Sequence, residues 1–210
     1  MQANQQTKAP YRETKRLKAD QRRVVIKGAA QSILLQHGFS ALTMRNTAEA
    51  AGIRMATLQY YYPSRAELFE AAFQSVVDGA WAEVTSGLED IDDGKPEQRL
   101  RRFIAAMCAS CQNEALASLF VELWAAARIH AYAADIMAAY YEEAVGFLAD
   151  LIRSAKPSLS KQKSNKYATI AMAMIEGQTL FVQMGRRAAR SSASTPTELE
   201  AVINAMLDAA

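Results

Sequence analysis

The chain is poor in several things, and each scarcity closes off a class of protein. Among 210 residues there are only two cysteines, Cys108 and Cys111. Two thiols build no disulfide framework and suit a reducing cytoplasm. A zinc site wants four ligands; there is no second cysteine pair, and the two histidines, His37 and His130, lie far apart, so no metal is expected. Glycine (nine) and proline (five) are few, and no stretch alternates cleanly between apolar and polar residues, which argues against an all-β fold. No run of about 18 apolar residues occurs, so no membrane span is expected. The polar, basic N-terminus has no apolar core of the secretory kind. Catalytic signatures are missing too: there is no G-x-S-x-G, Walker loop, G-x-G-x-x-G or H-E-x-x-H. The chain therefore reads as no enzyme, with no cofactor.

What the chain does have is helix-forming composition. Half of its residues are apolar, and Ala-rich runs with Leu, Met, Glu and Arg favour helix. The net charge of +2 hides a split: residues 1–65 carry eleven Lys/Arg against Glu13, Asp20 and Glu49, a balance of +8, and the remainder is acidic. A basic head on an acidic body points to an anionic partner for the head. Residues 1–17 read as a disordered basic tail. Residues 18–65 read as a small helical head, and 66–210 as a larger helical body. Val25, Ile26, Ala29, Ala30, Ile33 and Leu34 repeat at helical spacing from about Asp20, and Gly38 suits the left-handed position that ends such a helix. Thr43 caps the next short segment and Gly52 stops it. "MATLQYYY" follows, closed by Pro63. Ser64 and Glu67 then form a capping box at the start of a long helix. Past the acidic connection "EDIDDGKP" come five more helices, near 96–113, 115–129, 131–155, 160–187 and 196–209. The fold class is all-α, with about nine helices.

Two brief helices, 43–51 and 54–62, joined by "AAGI", have the sequence form of a helix-turn-helix. Ile53, Leu58 and Tyr61 fall on the side that must pack, Tyr62 at the junction with the long helix. Tyr60 points outward, where a hydroxyl beside basic residues is suited to a phosphate oxygen. The stretch "GFSALTMRNTAEAAGIRMATLQYYYPSRAELFEAAF", residues 38–73, resembles the DNA-binding segment of TetR/AcrR-type transcriptional regulators. The resemblance implies an N-terminal three-helix DNA-binding domain followed by a helical ligand-binding and dimerisation domain. It places Thr43 at a phosphate, and Arg45 within reach of a base edge, where an arginine can bond guanine with two N–H groups. Met55, Ala56 and Thr57 open the recognition helix, the first two suited to a thymine methyl. Gln59 stands where the family often has a phosphate-binding Tyr, and Tyr60 matches a phosphate contact. Arg65 replaces the usual Lys at the start of the long helix, where a phosphate is attracted. Arg54 replaces the family's Ser cap; it weakens the cap and brings a cation close to DNA. Thr47 stands where Ile is common, thinning the small core. Lys15, Arg16, Lys18, Arg22 and Arg23 add basic charge ahead of the motif.

One helix-turn-helix touches few base pairs, so a homodimer on a palindromic double-stranded operator is expected. Residues 160–187 are apolar on more than one side, with Ala171, Ala173 and Gly177 small enough for close approach. Leu199, Val202, Ile203, Met206 and Leu207 repeat along the last helix. The resemblance implies a dimer interface made by these last two helices. It also implies a pocket for a small-molecule effector, for which Met107, Phe120, Trp124, Arg128, Tyr132, Tyr140, Met172, Glu176 and Phe181 are the candidates. The function so implied is a cytoplasmic, ligand-responsive repressor released from its operator by an effector. An activator, or a thiol-redox sensor using Cys108 and Cys111 on one helix face, is the alternative on the same fold.

Overall fold

The structure, a computed structural model, describes residues 8–91, 95–184 and 196–209. Among these residues it is all-α: α1 (Lys8–Ala41), α2 (Met44–Ala50), α3 (Met55–Tyr61), α4 (Arg65–Thr85), a 3-10 turn (Ser86–Leu88), α5 (Pro96–Ser110), α6 (Glu114–Ala127), α7 (Ala131–Ala155), α8 (Lys161–Met184) and α9 (Pro196–Asp208). No single helix among them is long and apolar enough to cross a membrane.

Helix α1 starts earlier than its apolar repeat. Residues 8–17, expected to be disordered, continue the helix toward the N-terminus. They are mostly Lys, Arg, Glu, Leu and Ala, good helix formers, and Pro10 sits in the first turn, where its missing N–H is no loss. Residues 1–7, and the side chains of Lys15, Arg16 and Lys18, lie outside the described set. Near its other end α1 is broken at Gly38, whose φ of 77° lies in the region open to glycine. The break swings Phe39 inward.

The chain divides into two compact units, and the boundary between Val76 and Val77 lies inside α4. The head thus runs eleven residues further than the 65/66 boundary read from sequence. The reason is packing. Leu68, Phe69, Ala72 and Phe73 on α4 are buried with Ile26, Leu34, Phe39, Leu42 and Leu58. Phe39 meets the Phe69 ring edge-on at 5.1 Å. Burying each such side chain contributes about 1.5–3 kcal/mol, so a head without its share of α4 lacks much of its core. The capping box at the start of α4 forms in a variant way: Ser64 Oγ accepts from the Glu67 backbone N–H at 3.2 Å and donates to the Glu67 carboxylate at 3.0 Å.

In the second unit α7 packs against α5, α6 and α8, while α9 lies on α5 and α8. The core gathers Phe103, Ile104, Leu148, Ile152, Ile175 and Ile203. Trp81, Phe103 and Phe147 form a trio with centroids 5.1–5.7 Å apart. Asn113, read as the end of a helix, instead caps α6, its Oδ1 accepting from the N–H groups of Ala115 and Leu116. The C-terminal end of α9 is held by Asp208, whose carboxylate accepts from Arg101 at 2.9 Å and Lys156 at 3.4 Å. Those two cations hold its carboxyl below the ordinary aspartate range. All three side chains are partly exposed, so the pairs orient α9 more than they stabilise it.

Candidate nucleic-acid interface and effector cleft

The exposed face of the head follows from one turn. Gly52, with φ 62°, lets the chain reverse after α2. Its N–H donates to Glu49 O, and the Ile53 N–H donates to Ala48 O, both at 3.0 Å. Leu58, fully buried, then anchors α3 from beneath. With that residue inward, Arg54, Met55, Ala56, Gln59 and Tyr60 come to the surface, and Thr57 is half-buried. Tyr60 is 81% exposed, the most open large hydrophobic side chain among the described residues of the head. Arg54 precedes α3 in an extended conformation and makes no side-chain cap, as its replacement of a serine predicts. Arg45 is exposed on α2, and Thr43 is half-buried. Thr43 Oγ1 accepts from the Asn46 N–H at 3.1 Å, so its capping duty is real.

Two residues make contacts that the sequence did not suggest. Arg65 Nε donates to Leu42 O at 2.8 Å and its Nη2 to Phe39 O at 3.0 Å, with the guanidinium 4.7 Å from the Phe39 ring centroid. The carbonyls freed by the break at Gly38 claim that fork. Asn46 assists from α2, donating to Ala41 O at 2.8 Å. Tyr61, expected to be core, is only half-buried. Its ring meets Tyr60 edge-on at 5.2 Å and has the Arg23 guanidinium 5.6 Å from its centroid. Arg23 therefore links α1 to α3. The sequence showed its charge, but not its place. Tyr62 is partly buried, which pushes its hydroxyl up from the ordinary phenol range, and Arg23 opposes that shift. Beneath this face Thr47 is fully buried, and its hydroxyl finds no partner.

In the second unit the structure gathers some of the proposed pocket residues and scatters others. A cleft of about 260 Å³ between α7 and α8 is lined by Tyr141, Val145, Thr169, Met172, Ala173 and Glu176. Behind Tyr141, Trp124 Nε1 donates to its hydroxyl at 2.7 Å. Tyr140 lies 5.0 Å from Tyr141 and 5.4 Å from Phe120. Phe120, Trp124, Tyr140, Met172 and Glu176 thus belong to one neighbourhood. Met107 is buried in the core. Arg128 and Phe181 are exposed, Tyr132 stacks near His130 at 5.5 Å, and none of the three lines the cleft. Tyr141 was missed because a tyrosine adjacent to Tyr140 points to another side of the helix, and the sequence does not say which side is open.

Burial pushes the Glu176 carboxyl up from 4.5 to about 7, and Glu176 is only 9% exposed. Burial, with Glu176 adding to it, also pushes the Tyr140 and Tyr141 hydroxyls above the ordinary phenol range. Cys108 is pushed up to about 12, mainly by burial, and Cys111 is raised as well, again mainly by burial. Thiols so held are poor nucleophiles, which weighs against a thiol sensor. A larger, more polar groove of about 450 Å³ lies elsewhere on this unit, lined by Glu83, Arg102, Ser110 and Asn113 among others.

A glycine-turned pair of short helices on a three-helix head, followed by an all-helical body, defines a helix-turn-helix regulator. Residues 26–72 match the family described as bacterial regulatory proteins, tetR family, and residues 96–210 match the C-terminal region of BetI-type transcriptional repressors. The chain belongs to the TetR family of DNA-binding transcriptional regulators. No curated protein matches it significantly. Among solved structures, it is similar to a transcriptional regulator from Pseudomonas aeruginosa (20% identity, TM-score 0.74, 98% of this chain and 95% of that one). It is also similar to a TetR regulator from Haloarcula marismortui (18% identity, TM-score 0.71, 90% and 98%). A third is a regulator from Saccharomonospora viridis in complex with choline (19% identity, TM-score 0.68, 90% and 96%). At such identities the likeness is one of fold. Family members of this kind are regulators and typically not enzymes.

Proposed function

We propose that this protein is a cytoplasmic repressor that binds a palindromic operator as a homodimer and leaves it when a small-molecule effector enters the body. The observation that carries the reading is the outer face of α3, where Tyr60, Gln59, Met55, Ala56 and Arg54 stand exposed above a buried Leu58. An exposed phenol and an exposed guanidinium suit phosphate oxygens, whereas Gln59, Met55, Ala56 and Arg45 are chemically suited to base edges and thymine methyls. Thr43 and Thr57, half-buried at helix starts, supply hydroxyls to the backbone. Arg65 acts indirectly, by holding the turn that presents α2.

Two such heads must sit about 34 Å apart to enter successive major grooves. Exposed Ile170, Leu180 and Phe181 on α8 and Val202 on α9 support pairing through these two helices, since burying such side chains against a partner removes them from water. The match to BetI-type repressors favours repression over activation. The choline held by the Saccharomonospora viridis protein supports a small-molecule effector for this chain as well.

The test is a gel shift with duplex fragments from the protein's own genome at moderate ionic strength, alongside a solution measurement of mass. A dimer that prefers one palindromic fragment is expected. A monomer, or equal binding to every fragment, overturns the reading.

A further inference from the structure

The geometry points to a small organic cation carrying N–H donors, a protonated amine on a compact apolar body, as the ligand of the α7–α8 cleft, with Glu176 as its counter-ion. The inference rests on the effector-responsive reading above and names the chemical class of that effector.

Glu176 lines the cleft, is nine-tenths buried, and receives no hydrogen bond to its carboxylate from the described residues. A buried carboxylate is costly unless donors and positive charge meet it. The groups that face it from neighbouring elements are Tyr140 and Tyr141 on α7 and Cys111 at the end of α5. All three are neutral at ordinary pH, and no Lys or Arg among the described residues shifts its carboxyl. The remaining walls, Val145, Thr169, Met172 and Ala173, supply an apolar surface with a single hydroxyl. An anion would meet like charge here. A neutral ligand would leave the carboxyl to stay protonated and would gain nothing from its charge.

A quaternary ammonium fits less well than an amine. It has no N–H to give the carboxylate, and its usual recognition is by aromatic ring faces. Of the cleft's lining residues only Tyr141 is aromatic; the Trp124 indole N–H is spent on the Tyr141 hydroxyl. About 260 Å³ is at the small end of ligand sites, so the amine's body must be short.

The experiment uses the full-length dimer and calorimetric titration with four probes: phenethylamine, its neutral counterpart 2-phenylethanol, the anion phenylacetate, and choline. Phenethylamine is expected to bind at least about tenfold tighter than 2-phenylethanol or choline, and phenylacetate weakest of the four. Glu176→Gln should weaken phenethylamine by about thirtyfold or more, the loss seen when one partner of a buried charge pair is removed. Glu143→Gln, on an exposed part of α7, should leave that affinity unchanged. No binding by phenethylamine at millimolar concentration, preference for the alcohol, the anion or choline, or indifference to Glu176→Gln overturns the inference. A parallel gel shift separates the two readings. Operator release by a neutral or anionic compound alone overturns the cation inference and leaves the effector reading standing. Tight amine binding that leaves operator affinity unchanged sinks the effector reading and supports the cation site.

Discussion

Thr47→Val should stabilise the head, and the size of the gain follows from the environment of one oxygen. Thr47 sits on the inner side of α2, fully buried beside Ala48, and its hydroxyl has no hydrogen-bond partner. Leaving a hydroxyl in that state costs about 1–3 kcal/mol in mutational series. Valine keeps the shape and branching, has nearly the same helix propensity, and replaces the oxygen with a methyl worth about 0.8 kcal/mol of burial. The expected gain is about 2 kcal/mol, or roughly thirtyfold less local opening. Both tryptophans lie in the second unit, so whole-protein fluorescence is blind to the head. Hydrogen exchange read on peptides covering α2 and α3 is the right assay. Thr47→Ala serves as the control: it removes the orphan oxygen and the methyl together, so it should fall near wild type. Because the side chain is fully buried, operator affinity should hold within about twofold for the valine variant. Exchange in Thr47→Val that is as fast as wild type would refute the reasoning, since it would mean that the hydroxyl is satisfied in solution.

Three further outcomes can be checked directly. Arg54→Ala should lower the slope of log affinity against log salt by about one and weaken every fragment alike, whereas Tyr60→Phe should cost about 1 kcal/mol, near fivefold, by gel shift; a change in sequence preference from Tyr60→Phe would contradict a phosphate role. Val202→Glu, which places charge on an exposed apolar site of α9, should shift the protein toward monomer in size-exclusion light scattering and lose operator binding with it; an intact dimer would remove α9 from the interface. Burial pushes the Glu176 carboxyl up to about 7 in the folded state, so the stability it contributes is full below about pH 4.5 and is lost as pH climbs through about 7. Wild type should therefore lose up to roughly 3 kcal/mol relative to Glu176→Gln across that window in denaturant titrations, and a difference that stays flat with pH would show the carboxyl to be solvated.

Local signals carried most of the fold. Gly38 and Gly52 adopt a positive φ, Thr43 and Ser64 cap as read, and the described helix ends other than the start of α1 agree within a few residues because caps and breakers act on their nearest neighbours. What was not legible depends on contacts between distant parts of the chain. Arg65 stands at a phosphate position by its place in the motif, and its bonds to carbonyls more than twenty residues away were not legible from that place. Arg23 looked like tail charge, yet it reaches a ring on α3. Nine bulky residues were candidates for a pocket, and only tertiary packing could divide Met107, in the core, from Met172, at the cleft. Residue type alone does not say which side of a helix is covered.

The buried carboxylate also bounds how strong the effector response can be. A carboxyl moved from 4.5 to about 7 is one whose charged form the empty cleft disfavours by roughly 3 kcal/mol. A cation relieves that penalty when it binds. Only the share relieved unequally between the conformation that holds operator and the one that does not can alter DNA affinity. Coupling energies of about 1–3 kcal/mol are typical, so this one residue holds enough to supply the whole response. Linkage then makes a strict demand. If phenethylamine lowers operator affinity by some factor, the operator must lower phenethylamine affinity by that same factor, measured by calorimetry on the free protein and on the operator complex. A loss of operator affinity that keeps growing with amine concentration after the Glu176 cleft is saturated would mean that the amine acts elsewhere, for instance by competing at the phosphates, and that the cleft is not the switch.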